Sequence, residues 1–194
     1  MLEAFLNDAA SAYAASGNDV ALSVADQLRQ INVPVNWAVK GQIPNQQSLE
    51  QTLAARDCHS SARHLAVIAN QLDWVKATKF RVLSPLFKGN YCFTRIIGPD
   101  SLIKNDQFRF GIYLQDAKTV YPSHRHEAEE LYLPVSGTAL WQKDNAPFNK
   151  VKSGTLIHHL SYQPHATTTD ETPMLAYWAW VGNLAMETYS YVNQ

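Results

Sequence analysis

The stretch from Tyr121 to Gly137, YPSHRHEAEELYLPVSG, carries His124, His126 and Glu130 in the spacing H-x-H-x3-E. Imidazole nitrogens and carboxylate oxygens are good ligands for a divalent transition metal, and three of them within seven residues form the core of a metal site. In an extended chain, residues of like parity share a face. His124, His126, Glu130 and Tyr132 then stand on one side, with Leu131, Leu133 and Val135 on the other. A solvated charged loop would account for Arg125, Glu127 and Glu129, but not for the alternating LYLPV segment that follows.

Such residues need a scaffold, and 194 residues with 46% hydrophobic content suffice for one domain, or a domain with an appendage. The 16 basic and 17 acidic side chains nearly cancel, which leaves no electrostatic footprint for nucleic acid or an anionic membrane. No stretch approaches the length of a membrane span, and Met1 to Ser16, with Glu3 and Asp8, lacks the basic start of a signal peptide. The expectation is a soluble, cytoplasmic protein, monomer or homodimer. Cys58 and Cys92 form no CxxC pair and read as reduced core thiols.

Residues 1–80 read as helical. Leu2, Phe5, Leu6, Ala9 and Tyr13 fall at helical spacing before Gly17. Asp19 is placed as the cap of a second helix, Ser48 and Gln51 as a capping box for a third, and residues 60–74 as a fourth helix. Six basic against seven acidic residues up to Phe80 exclude a DNA-binding appendage, so these helices are expected to pack on the later sheet or on a second subunit. His59 and His64 read as surface or capping residues, and the loop from Trp37 to Asn45 as a lid candidate.

From residue 81 to 194 the texture changes to short strands: 91–97, 108–114, 130–135, 139–142, 155–159, 165–169, 174–181 and 187–192. Turn signals such as Gly98-Pro99-Asp100 and Lys143-Asp144-Asn145 separate them. About eight short strands with no helices between them imply a double-sheet jelly roll or small barrel, so the fold class is mainly β with an N-terminal α-helical region.

At this point the residues resemble a family. His124, His126, Glu130 and Gly137 match the first motif of the cupin superfamily, G-x5-H-x-H-x3,4-E-x6-G, with Lys118 where the initial Gly belongs. Gly154 and His165 keep the Gly-to-His spacing of the second motif, while Leu160, Tyr162 and Thr169 replace its Pro, Gly and Asn. That spacing selects His165 as fourth ligand over His158 and His159, of which only one can face the interior of a barrel. Tyr121-Pro122, Tyr132 and Gln163-Pro164-His165-Ala166 look like the cupin-type dimethylsulfoniopropionate lyases of marine bacteria.

The resemblance implies cleavage of a small zwitterion, dimethylsulfoniopropionate, to dimethyl sulfide and acrylate. It implies one divalent metal ion (zinc, iron, manganese or nickel) on His124, His126, Glu130 and His165. Tyr132 would be the base and Tyr121 an assistant. β-Elimination needs a base for the proton α to the carboxylate and a means of spreading enolate charge, which a metal-bound carboxylate provides. Tyr132 then serves as ligand, as base, or as both. Aromatic faces suit the sulfonium. Trp178 and Trp180 share parity on one late strand, and Trp178 is the expected pocket residue; Trp37, Trp74 and Trp141 are further candidates. Two other classes are compatible with the same ligands: a dioxygenase or isomerase acting on a small organic acid, and a non-enzymatic binding cupin.

Overall fold

Strands with apolar residues of both parities must be buried on both faces, and Leu175 to Trp180 is such a segment. The computed structural model describes residues 1–34, 37–38, 41–76, 86–87 and 89–192. The helices are α1 (Leu2–Ala14), α2 (Asp19–Gln30), α3 (Gln46–Leu53) and the single turn α4 (Leu65–Ile68). The first strands are β1 (Trp74–Lys76), β2 (Tyr91–Thr94), β3 (Ile97–Gly98), β4 (Ile103–Lys104) and β5 (Phe108–Gln115). Next come β6 (Val120–Arg125), β7 (Glu129–Ser136), β8 (Ala139–Lys143) and β9 (Asn149–Val151). The chain ends with β10 (Ile157–His159), β11 (His165–Thr168), β12 (Met174–Val181) and β13 (Ser190–Tyr191).

Among the described residues, the larger sheet runs β1-β2-β5-β12-β7-β10, with β3 beside β5 and β4 paired to β3. The smaller runs β13-β6-β11-β8-β9. The two faces of the larger sheet differ in chemistry. Its outer face presents Phe108, Phe110, Ile112, Leu131, Leu133 and Tyr177 to the helices, where Phe5 of α1 meets Tyr177 edge-on at 5.5 Å. Its inner face carries Tyr113, Tyr132, Trp178 and Trp180. Arg109, Trp180 and Glu130 are register partners across β5, β12 and β7, so they stand in one row on that face.

Two glycines make room for this packing. Gly111 is the register partner of Trp178, and a Cβ there would lie 1.9 Å from Thr94 O and 2.7 Å from Trp178 Nε1. Gly111→Ala is therefore expected to lower stability by about 1–3 kcal/mol, read as a lower urea midpoint, because the methyl group would displace the Thr94 backbone and crowd Trp178. Gly137, the last residue of the first motif, has φ of 76° and its absent Cβ would meet Pro173 O at 2.2 Å.

Several sequence expectations change. The cap of α2 is Asn18, one residue before Asp19, because its extended backbone lets Oδ1 accept from Ala21 N at 3.0 Å. Helix α3 already starts at Gln46, whose amide donates to Glu50, so Ser48 is interior and caps nothing. The helix expected over 60–74 breaks into two 3₁₀ turns around α4. His59 Nδ1 accepts from Ser61 N there, and Trp74–Lys76 pairs instead with Cys92–Thr94. The expected division at residues 80 and 81 lies outside the described residues, as do Val39 and Lys40 of the lid candidate. His64 pairs with Asp8 of α1 at 2.6 Å, and both cysteines are free thiols. No helix of the described residues is long and apolar enough to cross a membrane.

Lys118 and Tyr162 occupy the two motif positions where glycine was expected, and both adopt left-handed backbone, φ 55° and 56°. The left-handed conformation stands here without the residue that favours it. A left-handed L-residue costs about 1–2 kcal/mol, against about 0.5–1 kcal/mol for the extra chain entropy of glycine. Lys118→Gly should thus stabilise by about 0.5–1 kcal/mol in denaturant titration, since its ion pair with Glu171 is exposed.

Candidate metal centre

The first-motif stretch is not one strand. It turns over residues 126–128, which puts His124 on β6 of the smaller sheet and Glu130 and Tyr132 on β7 of the larger. The expectation of a single shared face is corrected accordingly: the chain bends at residues 126–128, where His126 Nδ1 bonds Ala128 O and both residues are buried, instead of continuing as one strand. Barrel closure brings the groups together from opposite sheets. His165 reaches them from β11, whose register places it beside His124.

Each of the three imidazoles is oriented by a carbonyl close in sequence. His124 Nδ1 donates to Pro122 O at 2.9 Å, His126 Nδ1 to Ala128 O at 2.9 Å, and His165 Nδ1 to Gln163 O at 2.8 Å. A carbonyl only accepts, so the proton sits on Nδ1 and the Nε2 lone pair is left for the interior. Glu130 Oε2 lies 3.1 Å from His126 Nε2 and 3.0 Å from His165 Nε2. Its Oε1 accepts from Trp180 Nε1 at 2.7 Å. One ligand atom from each of the four residues lies within 4.8 Å of all the others, and all four residues are buried.

Lone pairs and a carboxylate converging in a buried space repel one another unless a cation lies among them. The donor set, three nitrogens and one oxygen held by outer hydrogen bonds, fits a divalent transition metal. Burial, then the neighbouring His165, holds His124 well below the usual imidazole range, which keeps its lone pair available. Burial would raise the Glu130 carboxyl, but the His126 and His165 imidazoles beside Oε2 outweigh it and hold it well below the usual range. A bound cation would act in the same direction.

The site opens onto a cavity of about 500 Å³ whose walls include Tyr91, Phe93, Tyr113, Tyr121, Tyr132, Trp178 and Trp180. Tyr121 stacks on His124 with centroids 4.3 Å apart. Tyr132 stands edge-on to Tyr113 at 5.7 Å. Burial first, and then the negative charge of Glu130, push the Tyr132 phenol well above its ordinary value. Trp178 lines the cavity, whereas Trp74 donates to Ala69 O within the outer core and Trp37 packs there too. Trp141 sits beside Tyr132 at 5.2 Å.

Of the competing histidines, His159 is the one that faces the interior. It stacks on His165 at 4.0 Å, and neither ring nitrogen has a hydrogen-bond partner among the described residues. His158 points outward to Glu129 at 2.7 Å. Sequence reasoning missed Tyr189, Arg109 and the bond from Trp180 to Glu130. Trp180 and Glu130 could have been paired through the shared parity of β12 and β7, but nothing in the sequence around Tyr189 marks it.

Two facing, largely antiparallel sheets with three histidines and a glutamate inside make a cupin-type fold. A cupin-2 barrel protein from Rhodopseudomonas palustris superposes with a TM-score of 0.52 at 10% identity, over 64% of this chain and 79% of that one. More specifically, the family model for dimethylsulfoniopropionate (DMSP) lyase matches residues 17–176, and the chain belongs to that family. It is 32% identical over 94 residues to the dimethylsulfoniopropionate lyase DddQ of Ruegeria pomeroyi. That match spans 48% of this chain and 45% of the relative, so it extends over less than half the length of DddQ. The crystal structure of DddQ from Ruegeria pomeroyi superposes with a TM-score of 0.63 at 22% identity, covering 97% of this chain and 96% of that one. A chain from the crystal structures of the DMSP lyases RdDddP and RnDddQII gives 0.69 at 21%, covering 95% and 98%. At these identities the superpositions establish the fold.

Proposed function

We propose that this protein is a metal-dependent lyase that cleaves dimethylsulfoniopropionate by β-elimination to dimethyl sulfide and acrylate. The observation that carries the proposal is the convergence of three Nε2 lone pairs and one carboxylate at the end of an aromatic cavity, beside two tyrosines. His124, His126, Glu130 and His165 would hold zinc, iron, manganese or nickel. When bound, the metal supplies Lewis acidity toward the substrate carboxylate and the charge that spreads into it.

The chain's own residues do the rest. Tyr132 takes the proton from the carbon α to the carboxylate. The carbon–sulfur bond breaks, its electron pair leaves with sulfur as neutral dimethyl sulfide, and the carbon–carbon double bond of acrylate forms. Buried beside Glu130, the Tyr132 phenol is a poor base on its own, so its role depends on a nearby cation that favours the phenolate. Tyr121 orients the substrate from the opposite wall. Trp178 gives an aromatic face to the sulfonium, an interaction worth roughly 0.5–2 kcal/mol.

The test is headspace chromatography for dimethyl sulfide near pH 8, with protein reconstituted separately with each of the four metals. Metal-dependent gas supports the proposal. Stoichiometric metal binding with no gas from any metal removes the substrate assignment.

A further inference from the structure

After β12 the chain does not leave the barrel but runs back across its mouth. Asn183 Nδ2 donates to Glu127 Oε2 at 2.9 Å, and the Leu184 carbonyl accepts from Nε and Nη2 of Arg109 at 3.3 Å each. Arg109, buried in the cavity wall, also pairs with Asp100, to which Arg95 is bound as well. Glu127 N donates to Thr188 Oγ1 at 3.2 Å and Val192 N to Ser123 O at 2.9 Å. Strand β13 itself pairs with β6 at Arg125 and His124. A segment so anchored holds a fixed position over the site.

The side chain it carries inward is Tyr189. Its ring lies nearly parallel to two of the candidate ligands, 5.2 Å and 25° from His124 and 6.1 Å and 18° from His126. Its hydroxyl is 2.8 Å from that of Tyr121. Tyr189 lies beyond the residues matched by the family model, which end at 176.

We infer that Tyr189 is a positioning residue of the substrate site, which fixes the direction of the Tyr121 hydroxyl and roofs His124 and His126. The inference rests on the function proposed above. The Tyr121 ring is already held in plane between Tyr91, at 4.8 Å, and His124. Stacking does not set the rotation of an O–H about its C–O bond. Each phenol has one proton, so the pair shares a single hydrogen bond that can run either way. The carboxylate of the zwitterionic substrate selects the direction in which Tyr189 donates to Tyr121, leaving the Tyr121 proton to point at that carboxylate. Hydrogen bonds in such a chain strengthen one another. A phenylalanine at position 189 could roof the histidines equally well but could not set this direction.

The two roles separate in two variants of the metal-loaded protein. Tyr189→Phe should lower kcat for dimethyl sulfide release about 10-fold, the equivalent of one hydrogen bond of ~1.4 kcal/mol. KM should stay within about twofold, with metal content and the rate of metal loss to a chelator unchanged. In a Tyr121→Phe background the same substitution should add no further loss, because its target is gone. Tyr189→Ala should in addition speed metal removal by the chelator severalfold, by opening the roof. Wild-type kcat in Tyr189→Phe, or full additivity with Tyr121→Phe, overturns the positioning role. Chelation of Tyr189→Ala at the wild-type rate overturns the roof. The chelator arm needs no turnover. A wild-type protein that evolves no gas removes the substrate and with it the positioning role, while the roof is still decided by chelation.

Discussion

Glu130→Gln is expected to weaken metal binding by more than about 100-fold, and dimethyl sulfide release should fall in step with occupancy. Glutamine is the sharpest probe because it keeps the shape. Its carbonyl oxygen can still accept from Trp180 Nε1, which now bonds Glu130 Oε1 at 2.7 Å. What changes is the other end, where Oε2 lies 3.1 Å from His126 Nε2 and 3.0 Å from His165 Nε2. The substitution removes the one formal negative charge of the four-residue cluster and can place an amide N–H against the Nε2 lone pairs. Loss of an outer hydrogen-bond partner alone typically costs about 10–100-fold in metal affinity, so loss of a charged ligand must exceed it. Competition with a chromophoric chelator measures the affinity, and far-ultraviolet circular dichroism checks the fold. Binding within threefold of wild type would mean that the cluster is not the metal site.

The second large effect separates binding from proton transfer. Tyr132→Phe should keep metal affinity within a fewfold yet lower kcat by about 10²–10⁴, the usual range for removing a general base. Phenylalanine retains the edge-on contact with Tyr113 and the packing on Trp141. In the wild-type protein, burial and Glu130 raise the phenol well above its ordinary value, whereas a bound dication opposes both. The net sign sets the pH profile. A base that must be deprotonated, and whose phenolate burial and Glu130 disfavour, gives activity that rises toward alkaline pH. Full activity in Tyr132→Phe, or a profile that falls toward alkaline pH, would remove Tyr132 as base. If metal binding is lost together with activity, Tyr132 is a ligand first.

Most of the barrel could be read from alternation, because its strands are buried on two chemically different faces. Leu131 and Leu133 against Glu130 and Tyr132 on β7, and Tyr177 against Trp178 on β12, announce both period and facing. The cluster of three histidines and a glutamate was legible for a different reason: residues of metal-ligand type at ligand spacing stand out whatever the surrounding fold does. His124 and Glu130 nonetheless come from different sheets, since parity arguments assume a continuous strand and cannot detect a turn of three residues. The region after His59 failed for want of period. Its short turns are fixed by a histidine cap and by the pairing of β1 with β2, which are tertiary facts. Tyr189 was invisible because its role depends on where the chain passes after β12, and local pattern does not encode that path.

The left-handed backbone at Lys118 and Tyr162 bears on how such proteins are recognised. At both positions the family pattern specifies a letter, glycine, but what this barrel retains there is an angle. Selection on a fold acts on geometry, and a lysine or a tyrosine that tolerates the strain serves as well as the residue for which the angle is free. A pattern written in letters counts this chain as a damaged example of its kind, with an opening residue missing and a second motif half erased. A pattern written in dihedral angles finds both motifs with their turns in place. In this chain the backbone angle at positions 118 and 162 carries the turn that residue identity alone does not announce.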